Sequence, residues 1–222
     1  MTPKTFLTAC GNTLKDIVFP EGALCQCCGK LSDGCCLCPS CRKALHASDG
    51  LSAWHRTDIA GVPVFSMRPH RGIPRTLVIR LKHGACACIA DILADLVLPL
   101  PEGVIFSPDT VVTWVPMPDR RRLERCIDHG QVLAAAIADR LHLQSRCLLI
   151  RRDQRRHTQE GLDREERMAN LRNAYIPAGK ISFPVLLVDD VTTTGSTCRS
   201  CIEALRAGGA EKITAVTVTY VP

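Results

Sequence analysis

Aromatic residues are scarce in this 222-residue chain: five Phe, two Trp and two Tyr, 4% of the total. Reading nucleic acid through stacked bases requires exposed rings. Any nucleic-acid contact here is therefore expected to rest on backbone charge. Long apolar runs are also missing, and none approaches the ~20 residues that cross a bilayer as a helix. "FLTAC", ending at Cys10, has the look of a lipoprotein cleavage site. Only Phe6 and Leu7 are apolar between Lys4 and Thr8, so it lacks a hydrophobic region in front. The expectation is no signal segment and a cytoplasmic protein. The chain shows no internal repeat and no low-complexity tract.

Cysteine, by contrast, is abundant: fourteen in all. In a cytoplasmic chain that count argues for metal or buried thiols rather than disulfides. Seven fall between Cys25 and Cys41. "CQCC" supplies Cys25 and Cys28, and "CPSC" supplies Cys38 and Cys41, in the format C-x2-C-x9-C-x2-C. Each pair turns tightly enough to offer two thiolates to one ion, and four thiolates match a closed tetrahedral zinc. Cys27, Cys35 and Cys36 are surplus, and a thiol-rich loop without metal is the plainer alternative. Cys198 and Cys201 form another CxxC, but at i and i+3 of an expected helix they read as buried packing. Cys86 and Cys88 read the same way.

The net charge is +6. Its placement matters more than its size. Thirteen of the 21 arginines lie between Arg120 and Arg172, against eight acids in that window. Guanidinium forks suit phosphate oxygens, while a solvated mixed-charge surface is the bland reading.

Periodicity sets out the organisation. Residues 4–18 read as a short amphipathic helix leading into the cysteine module, and residues 48–60 as a polar connector. Strands are expected at "VPVFSM", "DTVVTWVPMP", "CLLIRR", "PVLLVDDV" and "ITAVTVTY". Helices are expected over 72–83, 85–98, "GQVLAAAIADRLHL" and "SCIEALRAGGA", with a charged loop over 154–170. Alternation of strand and helix implies an open, mostly parallel α/β sheet with flanking helices. Two domains follow: 1–55 with the four cysteines, and 56–222.

"VLLVDDVTTTGST", residues 185–197, carries the sharpest chemistry. Ligands of such sheets bind at the carboxyl ends of the strands. Two adjacent acids there are costly unless they meet hydroxyls or a cation, and a ribose offers paired hydroxyls. "TTTGST" then opens a helix whose N–H groups and dipole make a phosphate cradle, with Gly195 allowing close approach. Asp189 and Asp190 for a ribose, with Thr193, Thr194, Gly195, Ser196 and Thr197 for its 5′-phosphate, describe a ribose-5-phosphate site. Removing both acidic charges is expected to spare the fold, because it relieves repulsion.

This stretch resembles the loop that binds phosphoribosyl pyrophosphate (PRPP) in type I phosphoribosyltransferases. With the cysteines, "LKHG" at Lys82, "VPMPDRRRLER" and "RRHTQEGLDREERMANLRNAY", the whole chain is similar to the competence protein F (ComF) family. The family joins a zinc module to a phosphoribosyltransferase-like domain. Three departures stand out. Cys126, Ile127, Asp128 and His129 replace the family's glycine, aromatic, Asn and Gln. "SMRPHRG" shows no aromatic before the "LKHG" helix. Thr193 stands where base-salvage relatives often have an aspartate base, so this loop is not expected to abstract a proton.

The resemblance implies that Asp189 and Asp190 hold the ribose hydroxyls, with Asp190 approaching Mg²⁺ through water. Arg125, Arg151 and Arg152 are candidates for the pyrophosphate, and Arg155 and Arg156 for DNA phosphates. His129 and His157 read as surface or loop histidines. The implied function is handling of single-stranded DNA on the cytoplasmic side during natural transformation. Competence helicase-like or DNA-processing partners go with it, as does peripheral association with inner-membrane uptake machinery. An active phosphoribosyltransferase with an unknown acceptor and a PRPP-sensing regulator are the alternatives.

Overall fold

The computed structural model describes residues 23–32, 36–47, 54–84, 87–98, 100–118, 127–152 and 174–222. The expected helix at 4–18 and loop at 154–170 lie outside them. The chain divides into two compact units, Met1–Ser52 and Ala53–Pro222.

In the first unit, an isolated bridge pairs Leu24 with Leu31. Gly29, at φ +74, closes the turn between them. Its N–H donates to the Cys25 carbonyl at 2.9 Å. Helix α1 (Pro39–Ala47) follows, opened by Pro39, whose missing N–H costs nothing at a helix start.

The second unit is built on a six-stranded sheet. Its strands are β1 (His55–Ile59), β2 (Val62–Pro69), β3 (Val111–Trp114), β4 (Gln144–Ser145), β7 (Val185–Thr192) and β8 (Ile213–Tyr220), in the order β1-β2-β8-β7-β3-β4. All pairings are parallel except β1 with β2. Strand β7 is central and apolar on both faces over "VLLV", as a strand covered on both sides must be. Helices α2 (Gly72–Gly84), α3 (Ala87–Val97) and α4 (His129–Leu141) cover one face. Helix α5 (Ser196–Ala207) covers the other, with a ribbon of β5 (Leu149–Arg151) and β6 (Tyr175–Pro177). Val185 and Leu187 of β7 share one buried cluster with Cys198, Cys201, Ile202 and Leu205 of α5.

Two expectations are corrected. The stretch 48–60 is not wholly a connector, because His55–Ile59 forms β1. Its sequence, HRTDI, hides only Ile59, so it carries little apolar alternation. What makes it a strand is a two-residue turn: Ala60 and Gly61 both take positive φ, of 54° and 71°, and the Asp58 carboxylate accepts the Gly61 N–H at 2.8 Å. "CLLIRR" does contain a strand, but β5 pairs antiparallel with β6 in the separate ribbon, not in the main sheet. No helix among the described residues is long and apolar enough to cross a membrane.

Candidate functional site

In the first unit, the sulfurs of Cys25, Cys28, Cys38 and Cys41 all lie within 4.8 Å of one another. Cys28 Sγ and Cys38 Sγ are 3.7 Å apart. Four thiolates at tetrahedral zinc distances would be ~3.8 Å apart. The cluster can hold a metal ion and is compatible with structural zinc. Its first pair sits on the Gly29 turn, and the Cys25 N–H donates to Lys30 O at 2.8 Å. Its second pair straddles the start of α1, where the helix dipole favours thiolate. Burial opposes ionisation of Cys25, yet backbone donors at Cys28, Cys38 and Cys27 outweigh it and bring the pKa down to about 6. Burial pushes Cys41 up. It also raises Cys27, which is outside the four. The expectation of thiols without disulfides fails for Cys36 and Cys88, each of which is disulfide-bonded. Sequence spacing does not report which sulfurs tertiary structure brings within bonding distance. Cys35 lies outside the described residues.

In the second unit, β7 runs through both acids to Thr192, so they lie within the strand and not beyond its end. Alternation then separates them. Asp189 shares the face of Val185 and Leu187, toward α5. Asp190 shares the opposite face, toward α2 and α4. There Lys82 Nζ lies 2.9 Å from Asp190 Oδ1, and His129 Nε2 lies 2.9 Å from Asp190 Oδ2. His129 Nδ1, the ring's other nitrogen, is buried without a hydrogen-bond partner among the described residues.

The acids differ accordingly. Burial, and then the charge of Asp190, push the Asp189 carboxyl up to about 8, although its Oδ1 accepts the Asp190 N–H at 2.9 Å. For Asp190, burial is outweighed by His129 and Lys82, which hold its pKa below the usual value.

The loop after β7 is anchored by the Val221 N–H, which donates to Thr192 O at 2.9 Å. Thr193 and Thr194 are exposed, and Ser196 and Thr197 partly so. Gly195 caps α5 at φ +72 with no side-chain cap bond. The positive φ favours glycine, and a Cβ there would sit 2.6 Å from Ile59 Cδ1 and push that side chain aside. The Thr194 hydroxyl bonds Ser196 Oγ at 3.1 Å. This leaves a hydroxyl-lined helix N-terminus at the carboxyl edge of the sheet.

The expected arginines are not brought to these acids. Arg151 is exposed on the ribbon, where its guanidinium donates to Tyr175 Oη at 3.0 Å, and Arg152 is exposed beside it. Arg125, Arg155, Arg156 and His157 lie outside the described residues. A cleft of about 620 Å³, lined by Trp114, Met117, Asp128, Gln131, Arg146 and Arg151 among others, opens at the ends of β3 and β5. Neither Asp189 nor Asp190 lines it.

His129 is no surface histidine: its side chain is 16% exposed and faces Asp190. No local signal marks that, because the partner is distant in sequence. Asp128 caps α4, accepting from the N–H groups of Gly130 at 3.0 Å and Gln131 at 3.4 Å, and from Trp114 Nε1 at 3.3 Å. An Asp ahead of "GQVLAAAIADRL" was a legible cap. Cys198 and Cys201 are buried. Burial and nearby Asp189 push Cys198 up to about 12 and Cys201 also well up, which makes both poor nucleophiles.

Two predictions follow from this geometry. One zinc per chain is expected, and Cys38→Ser with Cys41→Ser should release it and unfold the cysteine module, since structural zinc binding is largely folding energy. Metal analysis and circular dichroism of the purified proteins check this. The two acids should also affect stability in opposite directions, contrary to the simple relief of repulsion. Asp189 has a raised folded pKa, so its ionisation penalises the native state increasingly from its ordinary 3.8 up to about 8. Asp189→Asn should therefore raise the melting temperature at pH 8, with the gain vanishing near pH 4. Asp190→Asn strands Lys82 and should cost about 1–3 kcal/mol at pH 7, tempered by the partial exposure of Lys82. Thermal melts across pH check both signs, and a destabilised Asp189→Asn at pH 8 would contradict the account.

The family model described as "Phosphoribosyl transferase domain" matches residues 126–222. Competence protein F of Haemophilus influenzae is 33% identical over 120 residues, covering 52% of this chain and 49% of the relative. The DNA utilization protein YhgH of Escherichia coli K12 is 32% identical over 111 residues, covering 48% of this chain and 47% of the relative. The chain thus spans about half the length of the curated relatives it matches. An adenine phosphoribosyltransferase structure from Leishmania donovani covers 76% of this chain and 86% of its own at 12% identity, with a TM-score of 0.39. That superposition is too loose to bear on this chain. A matching domain model and two curated relatives carry the conclusion: the chain contains a phosphoribosyltransferase-type domain over residues 126–222 and is similar over about half its length to proteins named for competence and DNA utilization.

Proposed function

We propose that this protein binds PRPP with Mg²⁺ at the carboxyl edge of β7. One observation carries the reading: two acids in the carboxyl half of a buried parallel strand are followed by a helix N-terminus that opens through a glycine at positive φ. The backbone and hydroxyls of Thr193, Thr194, Gly195, Ser196 and Thr197 suit a 5′-phosphate. Asp189 and Asp190 suit the ribose hydroxyls and a hydrated Mg²⁺. No carboxylate stands at position 193, so the loop itself supplies no base. Transfer to an acceptor, if it occurs, would draw its base from elsewhere. Calorimetric titration of PRPP with Mg²⁺ is expected to show one site, lost in the Asp189→Asn, Asp190→Asn double variant. Equal binding by parent and variant would end this reading.

Single-stranded DNA is the second ligand we propose, in DNA uptake for transformation. It is supported by the arginine-rich 120–172 window and by relatives named for competence and DNA utilization. With few aromatics, binding should be dominated by phosphate contacts and weaken steeply with salt. Arg155→Ala with Arg156→Ala should flatten the log–log salt slope by up to about one unit per lost contact. Fluorescence anisotropy over a salt series measures this, and an unchanged slope removes these arginines from the interface.

A further inference from the structure

We propose that Lys82 and His129, gathered by Asp190, form the basic half of the ligand site and meet the diphosphate of PRPP. This rests on the ribose-phosphate reading above and names the residues for the part of the ligand that reading left without a partner.

Three elements distant in sequence converge here. Lys82 comes from the last turn of α2, His129 from the first residue of α4, and Asp190 from β7. The two contacts to Asp190 are each 2.9 Å. The Lys82 side chain is 32% exposed and that of Asp190 only 6%. The cation therefore reaches the surface while its counter-ion stays buried. A long, flexible ammonium held this way can leave a carboxylate for a richer anion without moving the backbone.

The network is also incomplete. His129 Nδ1 is buried with no hydrogen-bond partner among the described residues, while its Nε2 faces Asp190 Oδ2. Buried polar atoms in folded proteins are nearly always satisfied, so leftovers point to a missing water or ligand. The wall beyond is polar as well. His70 Nδ1 shares a hydrogen bond of 2.9 Å with Thr219 Oγ1, which donates to Asp190 O at 3.2 Å. Neither Arg151 nor Arg152, the cations expected from sequence, contacts either acid. Arg151 is engaged with Tyr175. Lys82 and His129 each lie 2.9 Å from Asp190. Asp190 is in this scheme the positioning residue for both.

Ligand dissection tests this. PRPP and ribose 5-phosphate share the phosphate and the ribose, but only PRPP carries a diphosphate. Both are titrated with Mg²⁺ into the parent protein and into Lys82→Met, Lys82→Arg and His129→Gln, alongside thermal melts. Lys82→Met is expected to weaken PRPP about tenfold, the worth of one charge-assisted contact, and to leave ribose 5-phosphate within about twofold. Lys82→Arg should restore part of the loss. Equal loss for both ligands, or no loss for either, overturns the proposal. Should Lys82→Met fail to fold, His129→Gln carries the same comparison with the same outcomes. If the parent binds neither ligand, the ribose-phosphate reading falls and this inference falls with it. If the parent binds both and the variants are unchanged, only this inference falls.

Discussion

Everything at the carboxyl edge depends on one constraint: two consecutive carboxylates inside a strand that is covered on both faces. Strand geometry sends Asp189 and Asp190 to opposite sides, so the Lys82 and His129 contacts go to Asp190 alone. Each must be accommodated by its own layer of helices. Asp190 meets Lys82 and His129 and stays charged. Asp189 has the Asp190 N–H and a wall of cysteines and Tyr175, and its charged form is disfavoured.

That asymmetry organises the surrounding structure. The α2–α4 face delivers basic groups. The α5 face delivers a helix N-terminus and uncharged thiols. Packing of Gly195 against Ile59 brings the start of α5 against β1, so an edge strand with almost no hydrophobic signature still has a structural role. Asp128 does for α4 what glycine does for α5. It caps the first turn while bonding Trp114, which fixes the direction in which His129 enters the site.

The cysteine unit follows a different logic. Its spacing alone predicted four sulfurs around a point, and four sulfurs are found together. Among the described residues of this unit the buried apolar side chains are Cys25, Cys36, Leu37, Cys38 and Leu45, so an ion held by the four sulfurs would add folding energy that so small a cluster does not supply.

The sequence by itself determined the local patterns. "VLLVDD" had to be a buried strand ending in charge, "TTTGST" had to turn into a helix through glycine, and paired CxxC motifs had to turn. These readings depend on neighbours a few residues apart, within the reach of periodicity and turn chemistry. What only the tertiary structure decided was who meets whom. The meeting of Lys82 and His129 at Asp190, the separation of the acids onto two faces, the placement of β5 in a ribbon and the pairing of HRTDI as an edge strand depend on contacts between distant segments. Such contacts leave no local pattern, because the free energy that fixes them belongs to the packed layers and not to any one stretch of chain.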